Sequence, residues 1–280
     1  MRINRRQFVL ASAALATHGV AAEPQKEIEA LEKSARGQLG IFAQSGTRMF
    51  SHRATSRFVY CSSFKWVLSA AVLEASQRDA LKLMQRVKFT KADLTHNSPV
   101  TETHLDDGMT ISELCEATVT TSDNAAANLL TPLVGGLEGL RTFVKKLGDT
   151  TMRFDRGEPL LNTNEPGDPR DTTTPAAMTR LLRSAFTQPV LTADSQTQLF
   201  NWMNAATTGL TRIRAAVPKE WNCGDKTGTS GNGALIDVAL LRRPDDEPIY
   251  MSVFLNARGI TMEKGADVIA NAARIVLKAM

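Results

Sequence analysis

Cysteine is scarce in this chain of 280 residues, which has only Cys61, Cys115 and Cys223. An odd number of cysteines leaves at least one thiol without a disulfide partner. A chain of this length can also bury a substantial apolar core, so it does not need a disulfide scaffold. We therefore expect all three cysteines to be small, buried side chains.

Histidine is scarce as well, and the four histidines lack the spacing of metal ligands. No HExxH sequence is present, although that motif supplies the zinc ligands of many hydrolases. These two absences argue against a zinc hydrolase, and no metal site is predicted. The four residues are His18, His52, His96 and His104.

The chain has no stripe of Lys and Arg interleaved with aromatic residues, which is the usual sign of a nucleic-acid surface. Its net charge of +4 depends on residues 1–22, which hold three arginines and no acid. Without that segment the net charge is +1. The charge balance therefore predicts no nucleic-acid partner.

Residues 1–22 have the pattern of an export signal. Arg5 and Arg6 precede a short apolar run at residues 9–16, and small residues follow at 20–22. Adjacent arginines favour the twin-arginine pathway. An uncleaved membrane anchor is the alternative, but the run is too short to span a bilayer, and no later run is long enough. We expect a periplasmic or secreted monomer that leaves the membrane after signal cleavage.

Hydrophobic periodicity divides the rest of the chain into a helix, two strands, a mainly helical block, three strands and a final helix. The predicted strands are residues 40–43, 49–52, 222–229, 235–241 and 249–255, with Ser45-Gly46 as the first turn. Helices are predicted at residues 27–35, after Ser62, after the capping residue Thr110, at 176–186 after Pro175, and at 263–279.

This order predicts an α+β fold with an antiparallel five-stranded sheet built from both chain ends and flanked by terminal helices. An all-helical lobe is inserted between the two parts of the sheet. Its predicted bounds are residues 61–210, and the α/β lobe comprises residues 23–60 and 211–280. Residues 153–174 form a long loop rich in Pro, Gly, Asn and Asp, and such loops are usually functional.

Two motifs of the helical block contain groups suited to nucleophilic catalysis. Lys65 lies one helical turn after Ser62, and a partly desolvated lysine can act as the base for a serine. Ser122 begins a Ser-Asp-Asn sequence; its hydroxyl can pass a proton to a leaving nitrogen, and the amide of Asn124 can hold a carbonyl. Taken alone, the first motif also fits a solvated helix start and the second a helix cap.

A third motif lies on a predicted strand. Lys226 and Thr227 place an ammonium and a hydroxyl at a strand edge, a pair that can bind a carboxylate. Gly228 lets a ligand approach the backbone closely. A strand-end turn is the alternative explanation of this tripeptide alone.

In this order, the S-x-x-K, S-D-N and K-T-G motifs are typical of class A β-lactamases and penicillin-binding proteins. The chain resembles a class A serine β-lactamase, with the β-lactamase/transpeptidase-like fold, from about residue 27 to its last residue. Further tracts resemble the family at Ser98-Pro99-Val100-Thr101, Asp107-Gly108-Met109-Thr110, Ala126-Ala127-Asn128-Leu129-Leu130 and Asp171-Thr172-Thr173.

The resemblance implies hydrolysis of β-lactam antibiotics, and so antibiotic resistance, through an acyl-enzyme on Ser62. It implies small-molecule β-lactams as partners and no metal or organic cofactor. The amides of Ser62 and Thr229 would form the oxyanion hole, and Ser122 would protonate the lactam nitrogen. The base in acylation is either Lys65 or Glu158. The substrate-binding residues implied are Asn124, Lys226, Thr227, Gly228, Thr229 and Arg212.

A β-lactamase must also deacylate, and in class A enzymes a glutamate of the long loop activates the water. The loop has two Glu-Pro pairs, at Glu158 and Glu165. Glu158 begins the Glu-Pro-Leu-Leu-Asn sequence that resembles the family motif, which makes Asn162 a second water ligand. In the same register, Arg156 and Asp171 form the ion pair that pins the neck of the loop. Glu165 is then a solvated loop carboxylate.

The sequence departs from the family at several positions. Asn97 stands where many members have an aromatic residue against the substrate. Cys115 stands where many relatives have one half of a disulfide, but the position of its partner holds Ser69. Cys61 precedes the nucleophile as in some carbapenem-hydrolysing relatives, but the position of their second cysteine holds Ser230. We therefore expect neither bridge. Thr229 and Ser230 suggest cephalosporin turnover.

Two other functions are weighed against this one. A penicillin-inhibited transpeptidase or carboxypeptidase shares the three motifs, but the Glu158 and Asn162 pair and the lack of a membrane anchor argue against it. An inactive β-lactam-binding or sensor domain on the same fold is the second, since fold does not establish function. Slow deacylation would indicate the first, and absence of acylation the second.

Overall fold

The structure is a computed structural model that describes residues 17–280, with side chains from residue 23 onward. Residues 1–16 of the predicted twin-arginine signal, including Arg5 and Arg6, lie outside the described residues. Residues 17–22 are part of the first helix, which begins ten residues before the predicted start at residue 27. In the part described, no helix is both long and apolar enough to cross a membrane.

Strands from both ends of the chain form one antiparallel sheet of five strands, in the order β2-β1-β9-β8-β7, and two short ladders pair β3 with β6 and β4 with β5. The predicted α+β fold with a five-stranded antiparallel sheet is thereby confirmed. The strands are β1 (Gln38–Ser45), β2 (Arg48–His52), β3 (Phe58–Val59), β4 (Arg86–Val87), β5 (Met109–Thr110), β6 (Thr172–Thr173), β7 (Asn222–Thr229), β8 (Ala234–Arg242) and β9 (Ile249–Asn256).

Eight α-helices are described, two near the chain ends and six in the block between β2 and β7. They are α1 (Thr17–Ala35), α2 (Lys65–Gln77), α3 (Ile111–Thr120), α4 (Asn124–Leu133), α5 (Gly136–Lys146), α6 (Pro175–Thr187), α7 (Ala193–Asn204) and α8 (Met262–Ala279).

Two helix starts follow the predicted capping chemistry. Thr110 accepts a hydrogen bond from the Glu113 amide at 3.2 Å, and the Glu113 carboxylate accepts one from the Thr110 amide at 2.7 Å. This reciprocal pair satisfies two amides at the start of α3 that have no partner within the helix. Pro175 is the first residue of α6, where its missing N–H costs nothing, and Thr174 caps that helix.

The two faces of the sheet pack against different helices, and the residues of β8 alternate between them. Ile236 and Val238 join the apolar cluster of the helical block, which contains the buried Trp66. Leu235 and Ala239 join a second cluster, which includes residues of α1 and α8. Side chains alternate between faces along a strand, so the odd-numbered residues of β8 point toward α8.

The predicted loop at residues 153–174 is irregular except at two places. Leu160–Asn162 form one turn of 3-10 helix. At its neck, Thr172 and Thr173 form β6, which pairs with β3 just before Ser62. The loop is therefore attached by a backbone ladder to the segment that leads into the nucleophile motif.

Candidate active site

Ser62 lies in a 3-10 turn, Cys61–Phe64, that leads directly into α2, whose first residue is Lys65. Residues three apart eclipse each other in a 3-10 turn, so this turn brings the ammonium to the same side as the hydroxyl. Ser62 is half-buried, whereas Ser63 is fully buried and donates its hydroxyl to the Tyr60 carbonyl at 2.6 Å. Of the two adjacent serines, Ser62 faces the site.

The ammonium of Lys65 is fully buried among four oxygens, of which the Ser122 hydroxyl, 3.3 Å away, is the most distant. It lies 2.8 Å from the Ser122 carbonyl, 2.5 Å from Oδ1 of Asn124 and 3.1 Å from Oε1 of Glu158. Burial lowers the pKa of Lys65, while the charge and hydrogen bond of Glu158 oppose that shift. The three nearer oxygens match the three N–H groups of an ammonium, and they connect the segments of Lys65, Ser122 and Glu158.

Glu158 reaches the nucleophile from the loop. Its Oε1 accepts a hydrogen bond from the Ser62 hydroxyl at 2.8 Å, and its Oε2 accepts one from Nδ2 of Asn162 at 2.5 Å. The carboxylate is buried, so solvent weakens these contacts little. The structure thus brings Ser62, Lys65, Glu158 and Asn162 into one connected group.

Glu165, the other candidate of the loop, has a different environment. Its side chain is 59% exposed and lies 3.6 Å from the guanidinium of Arg258. Its other contact is a long one, 3.5 Å, from the side chain of Asn232. These contacts belong to the protein surface.

Asn128 holds Glu158 in place, and the sequence analysis assigned it no role. Its Nδ2 donates to the Glu158 carbonyl at 3.0 Å, and its Oδ1 accepts from the Glu158 amide at 3.2 Å. From its position in α4, the Asn128 side chain therefore binds both the carbonyl and the amide of the Glu158 backbone. Its position in the family-like tract was the only signal available in the sequence.

The Ser-Asp-Asn tripeptide serves both as a helix cap and as part of the site. Asp123 caps α4 by accepting from the Ala126 amide at 2.9 Å, as the structural alternative predicted. Ser122 has a φ of 62°, in the left-handed region. Its hydroxyl oxygen lies 3.3 Å from Nζ of Lys65 and 3.1 Å from Nζ of Lys226.

Asn97, which stands in place of the expected aromatic residue, supports the Ser122 turn. Its Nδ2 donates to the Ser122 carbonyl at 2.9 Å, and its own carbonyl accepts from the Asn124 amide at 2.9 Å. The exposed Asn97 thus contributes hydrogen bonds where the family pattern places an aromatic ring.

The Lys-Thr-Gly motif occupies β7, the edge strand that faces the nucleophile turn. Burial and the charge of Lys65 lower the pKa of Lys226 to about 7. Thr227 shares a hydrogen bond of 2.7 Å with the hydroxyl of Thr208. A Cβ at position 228 would lie 2.4 Å from the Tyr60 carbonyl, so Gly228 is needed for the strand to approach this turn.

Arg212 lies behind the edge strand, 4% exposed. Its guanidinium donates to the carbonyls of Gly228 at 2.9 Å and Ile236 at 2.6 Å, and to the hydroxyl of Thr229 at 2.7 Å. The Arg212 guanidinium is thus hydrogen-bonded to the strand backbone and to the half-buried Thr229, and it is not exposed between β7 and the nucleophile turn.

Arg156 and Asp171 meet at the neck of the loop, where Nε of Arg156 lies 2.5 Å from Oδ2 of Asp171. The other oxygen of Asp171 accepts from the amides of Asp155 and Arg156 at 2.8 and 3.0 Å and from the Tyr60 hydroxyl at 3.2 Å. Asp171 is fully buried. It therefore joins both arms of the loop to the segment before Ser62.

Within residues 17–280, no cluster of three His, Cys, Asp or Glu side chains has the geometry of a metal site. All three cysteines are buried, and none forms a disulfide in the described chain. Burial raises the pKa of the Cys61 thiol, which directly precedes the nucleophile. This keeps the thiol protonated beside Ser62 and makes it a poor nucleophile.

Comparison with known proteins agrees with this geometry. The profile of the Beta-lactamase enzyme family matches residues 23–280. β-Lactamase Toho-1 of Escherichia coli is 40% identical over 261 residues, covering 92% of this chain and 90% of its own. The carbapenem-hydrolyzing β-lactamase KPC of Klebsiella oxytoca is 43% identical over 254 residues, covering 89% and 86%. The structure of the putative class A β-lactamase PenP from Rhodopseudomonas palustris is similar with a TM-score of 0.89 at 42% identity, covering 92% of this chain and 100% of PenP.

The fold and these matches define a hydrolase of the β-lactamase enzyme family. Within that family, the chain belongs to the class A serine β-lactamases, which hydrolyse β-lactam antibiotics and so cause resistance.

Proposed function

We propose that this enzyme hydrolyses β-lactams through an acyl-enzyme on Ser62 and that Glu158 activates the water that releases it. The observation that carries the proposal is the 2.8 Å hydrogen bond from the Ser62 hydroxyl to Glu158, with Lys65 3.1 Å from the same oxygen. A nucleophile, an acid–base group and a cation that balances its charge are the parts such a mechanism needs.

Acylation begins when Ser62 attacks the lactam carbonyl and gives up its proton. Lys65 and Glu158 are the two candidate acceptors. Lys65 already donates to Ser122 and Asn124 and contacts Glu158, so an ammonium with no free lone pair fits this environment. The Ser62 hydroxyl points at Glu158. These contacts favour Glu158 as the proton acceptor, with Lys65 stabilising the developing charge. When Glu158 is displaced or replaced, Lys65, whose pKa is lowered by burial, is the second acceptor for acylation, whereas Glu158 is the one base assigned to deacylation.

The tetrahedral intermediate places a negative charge on the former carbonyl oxygen. The amides of Ser62 and Thr229 are the proposed donors to this oxygen, since β7 and the nucleophile turn lie against each other at Gly228.

Ser122 delivers the proton to the lactam nitrogen in this scheme. Lys65 then donates a proton to Ser122 and recovers one from Glu158, so Glu158 is a carboxylate again before deacylation begins. The Ser122 oxygen lies within hydrogen-bond distance of both Lys65 and Lys226, and an ammonium can only donate. The Ser122 hydroxyl therefore accepts from the lysines and keeps its own hydrogen for the leaving nitrogen. Two cations beside the oxygen also make that proton easier to transfer.

The carboxylate of the substrate is assigned to Lys226, Thr227 and Thr229, and Asn124 to the substrate amide. Arg212 donates to the Thr229 hydroxyl and has no acceptor atom. Thr229 therefore accepts from Arg212, and its hydrogen is free to donate to a carboxylate. In this proposal, Arg212 contributes to substrate binding by orienting Thr229.

Deacylation uses the loop. Glu158 lies beside the ester that would form on Ser62, and its second oxygen is held by Asn162. The carbonyl oxygen of the Asn162 side chain is buried without a hydrogen-bond partner in the described chain. That acceptor and the Glu158 carboxylate provide two ligands for a hydrolytic water. Arg156 and Asp171 maintain the loop that carries both.

Turnover of a chromogenic cephalosporin by purified protein tests this function. We expect sustained hydrolysis by the wild type and none by Ser62→Ala. A single stoichiometric burst from the wild type would contradict the proposed deacylation and indicate a penicillin-binding protein, whereas no acylation at all would indicate a binding or sensor domain.

Export by the twin-arginine route to the periplasm or medium, action as a monomer and cephalosporin preference are finer parts of the proposal. The last rests on Thr229, which borders the groove beside Arg212. A Thr229→Ala variant is expected to lose cephalosporin turnover more than penicillin turnover, and equal hydrolysis of cephalosporins by that variant would remove the basis for the preference.

A further inference from the structure

A buried acid that the mechanism above does not use lies directly behind the substrate-binding strand. Asp237 of β8 pairs with Thr227 of β7 and is fully buried. Its neighbours Leu235 and Ala239 are on the same face of the sheet and belong to the apolar cluster on the α8 side. A carboxylate in such a place is costly to bury unless it has a specific partner.

The partner of Asp237 is the segment that carries Arg212. Oδ2 of Asp237 accepts a hydrogen bond from the Ile213 amide at 2.9 Å. Its Oδ1 is buried and has no hydrogen-bond partner among the described residues. The single anchor of this side chain is therefore the amide that immediately follows Arg212.

Arg212 itself is a buried cation with no carboxylate within ion-pair distance in the described part of the chain; its acceptors are two carbonyls and the Thr229 hydroxyl. Burial lowers the pKa of Arg212, and Asp237 is the strongest influence in the opposite direction. The geometric support that Asp237 gives to Arg212 is the hydrogen bond to the adjoining backbone amide of Ile213.

A second buried acid fixes the same segment from the other strand. Asp225 of β7 accepts from Nε of Arg214 at 2.8 Å. Its Oδ2 lies against Gly209, where a Cβ would be 1.7 Å away. Residues 209–214 are therefore held by acids of both β7 and β8, with Arg212 between the two anchors. Burial and Asp225 together raise the pKa of Asp237 to about 8, and Arg212 opposes this shift.

We propose that Asp237 is a positioning residue for recognition of the substrate carboxylate: it holds the Ile213 amide, and thereby the Arg212 guanidinium that orients the Thr229 hydroxyl toward the substrate. Without the anchor, the segment can move and the 2.7 Å bond from Arg212 to Thr229 is weakened. Thr229 is then free to direct its hydrogen away from the groove. This inference rests on the role of Thr229 proposed above.

The test compares a penicillin with its methyl ester, which lacks the negative charge that Thr229 would bind. Asp237→Ala is expected to lower kcat/KM for the acid about 3- to 10-fold, the effect of one lost hydrogen bond, mainly through KM, with little change for the ester. Asp237→Asn should recover most of that loss, because its amide oxygen can still accept from Ile213. The ratio of acid to ester is independent of the fraction of folded enzyme.

Asp149→Ala is the matched control. Asp149 is a buried acid that accepts from the backbone amides of Thr151 and Met152, both at 3.0 Å, in a loop that contributes no residue to the proposed site. Its loss should lower stability without altering the acid-to-ester ratio. If Asp237→Ala does not accumulate as folded protein, Asp237→Ser, whose hydroxyl is too short to reach Ile213, replaces it.

A double-mutant cycle with Arg212→Ala shows whether Asp237 acts through Arg212. The proposal expects Asp237→Ala to change the ratio little once Arg212 is absent. An equal effect in both backgrounds, or an unchanged ratio in Asp237→Ala alone, would overturn it. In either of these cases, mass spectrometry would still detect an acyl-enzyme on Ser62 that forms and is then hydrolysed. If the proposed function itself were wrong, this adduct would never form or would never be released.

Discussion

Replacement of Asp171 by asparagine isolates the charge that closes the neck of the loop. The variant keeps the size of the side chain and one oxygen that accepts from the amides of Asp155 and Arg156. It loses the charged oxygen 2.5 Å from Nε of Arg156 and places an N–H donor there instead. The ion pair is broken, while most of the surrounding packing is retained.

The free energy by which Asp171→Asn destabilises the closed loop depends on the contacts that Arg156 keeps. Removing one member of a buried pair costs about 3–5 kcal/mol when the other is left alone. Arg156 still donates to the Thr163 hydroxyl at 2.9 Å and lies 3.6 Å from Asp168. We therefore expect a smaller cost, about 2 kcal/mol, similar to one charge-assisted hydrogen bond. That corresponds to about a 30-fold increase in the open population of the loop.

Opening the loop removes Glu158 and Asn162 from Ser62 but leaves the nucleophile turn in place. Deacylation should therefore slow more than acylation, and amides of residues 158–165 should exchange faster with deuterium. Stopped-flow acylation, steady-state turnover and hydrogen exchange measure these quantities. Asp168→Asn is the control, because its main partner is the exposed Arg170. Unchanged loop exchange in Asp171→Asn, or an equal effect in both variants, would refute the reasoning.

Three further changes have defined outcomes. Lys226 loses its charge as the pH rises through about 7, so KM for anionic β-lactams should rise above pH 7 in the wild type. It should not rise in Lys226→Arg, because arginine stays charged. Parallel KM–pH profiles of the two enzymes would contradict this. Asn128→Ala removes two hydrogen bonds to the Glu158 backbone and should slow deacylation about tenfold with acylation retained. Pre-steady-state kinetics measures the two steps separately, and an equal loss in both would contradict this prediction. Thr110→Ala removes the cap of α3 and should cost about 1 kcal/mol in urea unfolding, with kcat/KM unchanged; full stability in the variant would show that the cap does not matter.

The elements that could be predicted are those whose signals are local. Short apolar runs bounded by turn residues located the strands of the sheet. Thr110 located the start of α3 to the residue, and Pro175 located the start of α6 to within one residue. The first hairpin turn was placed one residue early: Ser45 is the last residue of β1, and the turn is Gly46-Thr47, since Gly46 has the positive φ that a tight turn needs.

The site residues that could be predicted from the sequence are those that belong to recognisable motifs. Register along the loop selected Glu158, and the structure brings that residue to Ser62. Asn128 and Asp237 were not found, because each acts on the backbone of a residue distant in sequence, Glu158 and Ile213 respectively. Such contacts depend on how helix and sheet pack together, and short-range patterns contain no record of that packing.

The most direct test of the mechanism compares two glutamates of one loop. Intact mass is measured on Glu158→Gln and Glu165→Gln after mixing with a cephalosporin and quenching. The proposed roles predict that Glu158→Gln accumulates a stable adduct located on Ser62, whereas Glu165→Gln, whose side chain is 59% exposed, turns over like the wild type. Free enzyme and continued turnover in Glu158→Gln, or a trapped adduct in Glu165→Gln, would contradict the assignment of Glu158.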